Sequence, residues 1–385
     1  MITRRGLLMT GGAAILVAGG GAAAWLTTRS IDPVREPWRA AAKGGFGDPR
    51  LNAVAYAILA PSAHNRQPWW VELRGEDKLV LYCDLIRRLP EADPYDRQTV
   101  IGLGAFLELL GMAAAEQGYK AEVTSFPDGE PAPQLDGRPI AEVIFTEAPK
   151  VKTAPLFDDL LDRRTNRAVF AQDKPVTSGT MDEVAALSGV GGLFGHSNDP
   201  AQVDRLKALC REAWEIECNV QRTLDESTAL TRIGAAAIRE NPDGISVHGP
   251  MIELYKAAGF LSKKAMAEKG STAHQQTISY YNNLIDSAMA FGWLVSPGNS
   301  RVDQLDAGAH WVRLNMAANH LGVAFQPLSQ ALEEFPEMEE PFEQAHTELG
   351  VSAPQQLQGL FRLGYAKRPA PSPRWAMESR IQVLR

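Results

Sequence analysis

Two strand-like apolar runs, Trp69–Leu73 and Leu79–Tyr82, flank Gly75-Glu76-Asp77, which predicts a β-hairpin. A helix is expected from Pro49 to Leu59, just before it. Thr99–Gln117 carries the apolar pattern of a long helix, and Gly118 is placed to end it through a left-handed cap. Tyr119–Ser125 and Ile140–Thr146 read as strands joined by a Pro/Asp/Gly-rich loop, 127–139. Leu156, Phe157, Leu160 and Leu161 fall on one helical face and predict a helix over 154–161. Further helices are expected at Gln202–Arg222, Thr228–Arg239, Asn283–Leu294 and Gln304–Leu321, with a strand at Leu357–Gly364. Residues 241–250 form a turn-rich breaker. After it, Met251–Lys269 mixes apolar residues and lysines, and fits either a lid or an ordinary surface helix pair.

This mixture predicts an α+β fold, and 385 residues suffice for one large or two ordinary domains. The net charge is -7, with no long basic run, which argues against a dedicated nucleic-acid binder. Cys83, Cys210 and Cys218 form no CxxC pair, so they offer no zinc site and no disulfide framework, although a single bridge stays open. Asp303, Asp306 and His310 stand at helical spacing, but that spacing is common and no metal is expected there. His310 and His320 are too far apart on one helix to share a metal.

The N-terminus reads as a targeting segment. Thr3-Arg4-Arg5-Gly6-Leu7-Leu8 resembles a twin-arginine (Tat) export signal, and an uncharged, Gly/Ala-rich run follows to Thr28. Residues 1–30 are therefore expected to be a signal peptide or an anchor, and the protein periplasmic or held on the membrane facing the periplasm. Ile31–Asp48 reads as a linker with a short helix near Trp38–Lys43.

Pro61 and Pro68 bound a loop containing Ser62, His64, Asn65 and Gln67, rich in donors and acceptors. By its residues alone it is a polar helix-to-strand turn. The string Ala60–Trp70 resembles the APSxxNxQPW signature of the FMN-dependent nitroreductase family, whose loop lies beside the flavin. Arg163-Arg164-Thr165-Asn166-Arg167 places three cations within five residues, either a phosphate clamp or cations closing a helix. It is similar to the RRSxR motif that holds FMN in that family. Gly322–Gln330 resembles the family's GLxxxP turn. Arg374, after a proline-rich stretch, sits where the family has a basic residue on the FMN phosphate.

The order of these motifs carries information. The family's RRSxR motif precedes its APSxxNxQPW motif, whereas here it follows by roughly a hundred residues. Leu51–Ala55 leads into the intact loop. Met181–Ala185 is a faint echo and leads into Gly191–Asn198, which lacks the proline-bounded loop. The resemblance thus implies a nitroreductase-like fold of two fused halves, 31–152 and 153–385, with a possible lid at 241–270. This is an intramolecular pseudo-dimer like the double-length Acg-like branch, keeping one flavin site in a monomeric chain.

It implies FMN contacts from Pro61, Ser62, His64, Asn65, Gln67, Arg163, Arg164, Thr165, Arg167, Pro327, Ser329, Gln330 and Arg374. The flavin would carry hydride from NAD(P)H to a nitroaromatic or quinone-like acceptor, so no separate catalytic residue is expected. The rival is a non-catalytic flavin-binding or flavin-sequestering protein.

Overall fold

The computed structural model describes residues 29–384. The export-signal reading falls on residues 1–28, outside the described residues.

The first half runs α1 (Glu36–Lys43), α2 (Pro49–Ala57), β1 (Trp69–Arg74), β2 (Lys78–Cys83), α3 (Arg97–Glu116), β3 (Tyr119–Ser125) and β4 (Ala141–Glu147). Asp48 starts α2 by accepting the Arg50 N–H, one of the donors a helix start leaves unpaired. Asp93 does the same for α3, accepting from the backbone of Gln98 and Thr99.

The second half begins with α4 (Ser178–Ser188) and β5 (Phe194–Ser197). A large insertion follows: α5 (Pro200–Asn219), α6 (Gln221–Leu230), β6 (Thr231–Ile233), α7 (Ala235–Glu240), β7 (Ile245–Val247), α8 (Pro250–Ala257), α9 (Lys263–Ala267) and α10 (Thr272–Asp286). The half then resumes with β8 (Ala290–Ser296), α11 (Arg301–His320), β9 (Ala324–Pro327), α12 (Glu339–Glu348) and β10 (Gln356–Gly364), and β11 (Ile381–Leu384) follows.

The two main sheets repeat one plan. The first has the strand order β1-β2-β4-β3 and the second β5-β8-β10-β9, every neighbouring pair antiparallel. β11 then joins the first sheet, parallel to β1, so the end of the chain closes the sheet of the opposite half.

Helices α3 and α11 are the matching central elements. They carry the same residue at matching positions: Arg97 and Arg301, Gly104 and Gly308, Leu110 and Leu314, Met112 and Met316, with Gly118 and Gly322 just after each helix. They cross at the glycines. A Cβ on Gly104 would sit on the Leu305 carbonyl oxygen, and one on Gly308 on that of Ile101. Only hydrogen at both positions allows the backbones to approach this closely.

The fold is therefore α+β, with two similar halves sharing a helical centre. Several local expectations need correction. Asn283–Leu294 is not a helix: α10 ends at Asp286 and β8 begins at Ala290. β8 is sandwiched between β5 and β10, and its near-continuous apolar run suits a strand buried on both faces as well as a core helix. Residues 154–161 form only a 3-10 turn, Phe157–Asp159. Thr228–Arg239 is broken by Gly234 at φ 84° into the end of α6, β6 and α7. Ala324–Pro327, expected as part of a turn, is a strand. All three cysteines are free and buried, so no bridge forms.

Candidate functional site

The loop from Pro61 to Pro68 is held in an unusual backbone state. His64, Asn65 and Gln67 have φ of 46°, 50° and 52°. Left-handed conformations cost non-glycine residues about 1–3 kcal/mol each and persist only where surroundings over-determine them. Asn tolerates this region better than the others.

The surroundings here do so. The Ser62 hydroxyl accepts the Gln67 N–H at 2.9 Å. Gln67 accepts the Trp375 N–H at 3.0 Å and donates to the Pro242 carbonyl at 2.8 Å. Asn65 accepts from Arg374 Nη1 at 2.7 Å, and its own amide donates to the Pro373 carbonyl. Ser62 also lies directly on α3, where Gly102 leaves room for it.

Two buried arginines fix the end of α2 that feeds the loop. Arg374 donates to the carbonyls of Ile58, Leu59 and Ala60 at 2.9–3.0 Å, and Arg163 to Leu59 at 2.9 Å. These carbonyls follow the last residue of α2, close to the helix C-terminus, where cations are favourable. Burial, then the charges of Arg163 and Arg164, pushes the Arg374 guanidinium down from its ordinary value. Arg164 donates to Leu161, Arg163 and Pro369 carbonyls and stacks on Trp38, 4.8 Å from the ring centre.

Arg167 differs from the other three. It is exposed and makes no hydrogen bond or ion pair among the described residues. Its charge lies close enough to His64 and Tyr281 to lower the pKa of each. Thr165 is half-buried between these arginines. Pro327 ends β9, and Ser329 opens the short turn that carries Gln330. The Gln330 side chain lies near the Glu217 carboxylate, which brings it to the same region as His64. The motifs of the two halves thus meet in one place.

The insertion supplies the outer wall. Asp243, just before β7, is buried and accepts from three guanidiniums: Arg66 at 3.1 Å, Arg87 at 2.8 Å and Arg232 at 2.8 Å. Burial raises its pKa, but Arg232 and the charges of Arg66 and Arg87 outweigh that and leave it below its ordinary value. Gly244 N–H donates to the Asn65 carbonyl. Residues 242–244 are thereby bound to the loop itself.

Glu217, on α5, lies with its Oε1 4.0 Å from His64 Nε2. That oxygen accepts from Ser227, while Oε2 and His64 Nδ1 are buried without a partner among the described residues. Burial pushes Glu217 up to about 7, against the nearby Gln330 side chain and the Ser227 hydrogen bond. Burial first, then Arg167 and Arg66, pushes His64 down to about 4. At neutral pH His64 is therefore uncharged, and Glu217 is poised to hold or release a proton. Tyr281 of α10 packs on Trp214, with ring centres 4.4 Å apart, and its hydroxyl accepts from Gln326.

Sequence reasoning missed Glu217, Asp243 and Tyr281. Glu217 had a signal: it continues the buried stripe Val203, Leu206, Cys210, Ala213 at helical spacing. A lone carboxylate on an apolar stripe marks a group with a special partner.

No protein-family model matches the chain. It is 34% identical over 128 residues to an uncharacterised protein of Mycobacterium tuberculosis H37Rv, covering 32% of this chain and 36% of the relative. It is 36% identical over 124 residues to another protein of that strain, named "Putative NAD(P)H nitroreductase acg", covering 31% and 35%. The chain spans about a third of the length of these curated relatives. A solved structure, the FMN-dependent nitroreductase NfnB from Mycobacterium smegmatis in complex with NADPH, is 18% identical with a TM-score of 0.35, covering 58% of this chain and 95% of that one.

Proposed function

We propose that this chain is an FMN-binding oxidoreductase of the nitroreductase family, a pseudo-dimer with one site, passing hydride from NAD(P)H to a nitroaromatic or quinone-like acceptor. The observation that carries the reading is the loop with three left-handed residues, with the uncommitted guanidinium of Arg167 in electrostatic reach of His64. The partial likeness to a protein named as a nitroreductase supports it.

The residues present fit FMN. Arg167 would take the phosphate, with the Thr165 hydroxyl beside it. Gln330 and the unpartnered His64 Nδ1 would face polar edges of the ring, while the Asn65 side chain stays engaged with Arg374 and Pro373. Arg163, Arg164 and Arg374 spend donors on carbonyls, so their part is to hold the loop. When bound, FMN supplies the hydride acceptor and donor. The chain supplies position, exclusion of water, and a proton at Glu217.

Arg167→Ala is expected to weaken FMN binding about 10- to 100-fold, as loss of a charged hydrogen bond does, with the unfolding midpoint unchanged. Flavin quantified per chain by its visible absorption checks this. About one FMN per chain in the parent supports the single-site reading, and flavin retained fully by the variant would refute the role of Arg167.

A flavin-sequestering protein is the second reading, favoured by the bonds of residues 242–244 across the loop. Steady-state NAD(P)H oxidation with a quinone acceptor separates the two. We also propose Tat export, with the site on the periplasmic side. Replacing Arg4 and Arg5 by lysine is expected to leave the protein in the cytoplasmic fraction, and unchanged export would remove that proposal.

A further inference from the structure

Scattered exposed apolar residues are ordinary on a soluble surface, but one stretch concentrates them. Met251, Leu254 and Tyr255 share one face of α8 at helical spacing, each about half exposed. Phe260, just beyond the helix, is 76% exposed. Lys264 and Lys269 are exposed along the same stretch, as are Lys256 and Lys263, whose ammonium groups donate to the Ile233 and Ala229 carbonyls.

The start of the described chain lies against this stretch. Arg29 Nε is 3.4 Å from the Glu253 carboxylate on α8, and the Ser30 carbonyl accepts from Arg239 on α7 at 2.9 Å. Immediately before Arg29, residues 6–28 contain no charged side chain. That exceeds the about 20 residues a bilayer crossing needs. Trp25 and Arg29 stand at the end of the run, residue types that favour the membrane interface.

We infer that the α8–α9 face is a membrane-docking surface, laid on an anionic lipid bilayer by the N-terminal run. Apolar and aromatic side chains beside lysines suit the boundary between headgroups and acyl chains. The lysines select anionic headgroups. A protein partner of purely apolar surface would leave the lysine charges unmatched. With Arg29 ion-paired to α8, any insertion of residues 6–28 holds α8 close to the lipid. The inference does not depend on what the site binds.

The native cysteines are all buried, so one introduced cysteine can be labelled selectively. The full chain carrying Phe260→Cys, labelled with an environment-sensitive fluorophore, is placed in phosphatidylcholine vesicles containing phosphatidylglycerol. Leu254→Cys is the second probe position, should Phe260→Cys fold poorly. Val123→Cys, on exposed β3, is the reference.

Emission at 260 is expected to shift to the blue and to lose about half its intensity to a nitroxide-bearing lipid, whereas emission at 123 stays water-like. The shift should weaken when phosphatidylglycerol is omitted. Equal, water-like emission at both positions would overturn the inference. A blue shift already present without vesicles and insensitive to the nitroxide lipid would also overturn it, showing that the apolar run or a second copy covers the face.

Discussion

Replacing Asp243 by alanine is expected to lower the unfolding free energy by about 3–5 kcal/mol, the scale for breaking a buried ion pair from one side. Asp243 is buried and is the shared acceptor of Arg66, Arg87 and Arg232. Without it, three closely placed cations lose their common counter-charge and repel one another. The damage should reach the site, because Arg66 sits inside the left-handed loop and Gly244 bonds Asn65.

Urea unfolding measures the first effect, and flavin retained per chain the second. Arg66→Ala should cost less, since Asp243 would keep Arg87 and Arg232. The carboxyl is held below its ordinary 3.8, so its contribution is present above that pH and is lost as pH falls through the lowered folded value. The parent should therefore lose stability in acid more steeply than the alanine variant. A loss below about 1 kcal/mol would show that the three arginines find other partners, and that Asp243 does not brace the loop.

The first half was legible because each of its elements is local. Trp69–Leu73 and Leu79–Tyr82 pair across a short turn, and Tyr119–Ser125 matches β3 end for end. The second half was less so, since its plan is interrupted: β5 and β8 pair directly although α5–α10 lie between them in sequence. β11 pairs with β1 from the other end of the chain, a contact no periodicity encodes. The repeated residues of α3 and α11 stand in the sequence, but only the crossing at Gly104 and Gly308 gives them one meaning.

The site divides in the same way. His64, Asn65 and Gln67 could be found from the loop string, because local chain geometry makes that loop. Its left-handed backbone could not, since tertiary bonds from Arg374, Trp375 and Pro242 impose it. Arg163 and Arg374 stand in motif-like strings, but a string of arginines does not reveal that carbonyls just past α2 occupy them.

Glu217→Gln is expected to flatten the pH dependence of stability and to cut turnover together. In the folded chain burial pushes Glu217 from 4.5 up to about 7. In the unfolded chain the carboxyl ionises near its ordinary value. Between about pH 4.5 and 7 unfolding therefore releases its proton, and this group makes stability fall as pH rises; below 4.5 it contributes nothing. Above 7 the penalty is complete, about 3 kcal/mol at 1.36 kcal/mol per unit.

Glutamine cannot ionise, so the difference between variant and parent should grow in the variant's favour across that window, by about that amount. The constant offset is separate: an amide placed at the unpartnered Oε2 position costs about 1–3 kcal/mol at every pH. Turnover should fall about 10²–10⁴-fold at pH 7, the usual weight of a positioned acid, because His64 is neutral and cannot substitute as proton source. Urea melts at several pH values read the first effect, and single-turnover oxidation of the reduced protein by a quinone reads the second. An unchanged slope would mean that Glu217 is charged in the fold. A flattened slope with unchanged turnover would leave Glu217 buried and protonated but outside the chemistry, and the proton would have to reach the site from solvent past Arg167.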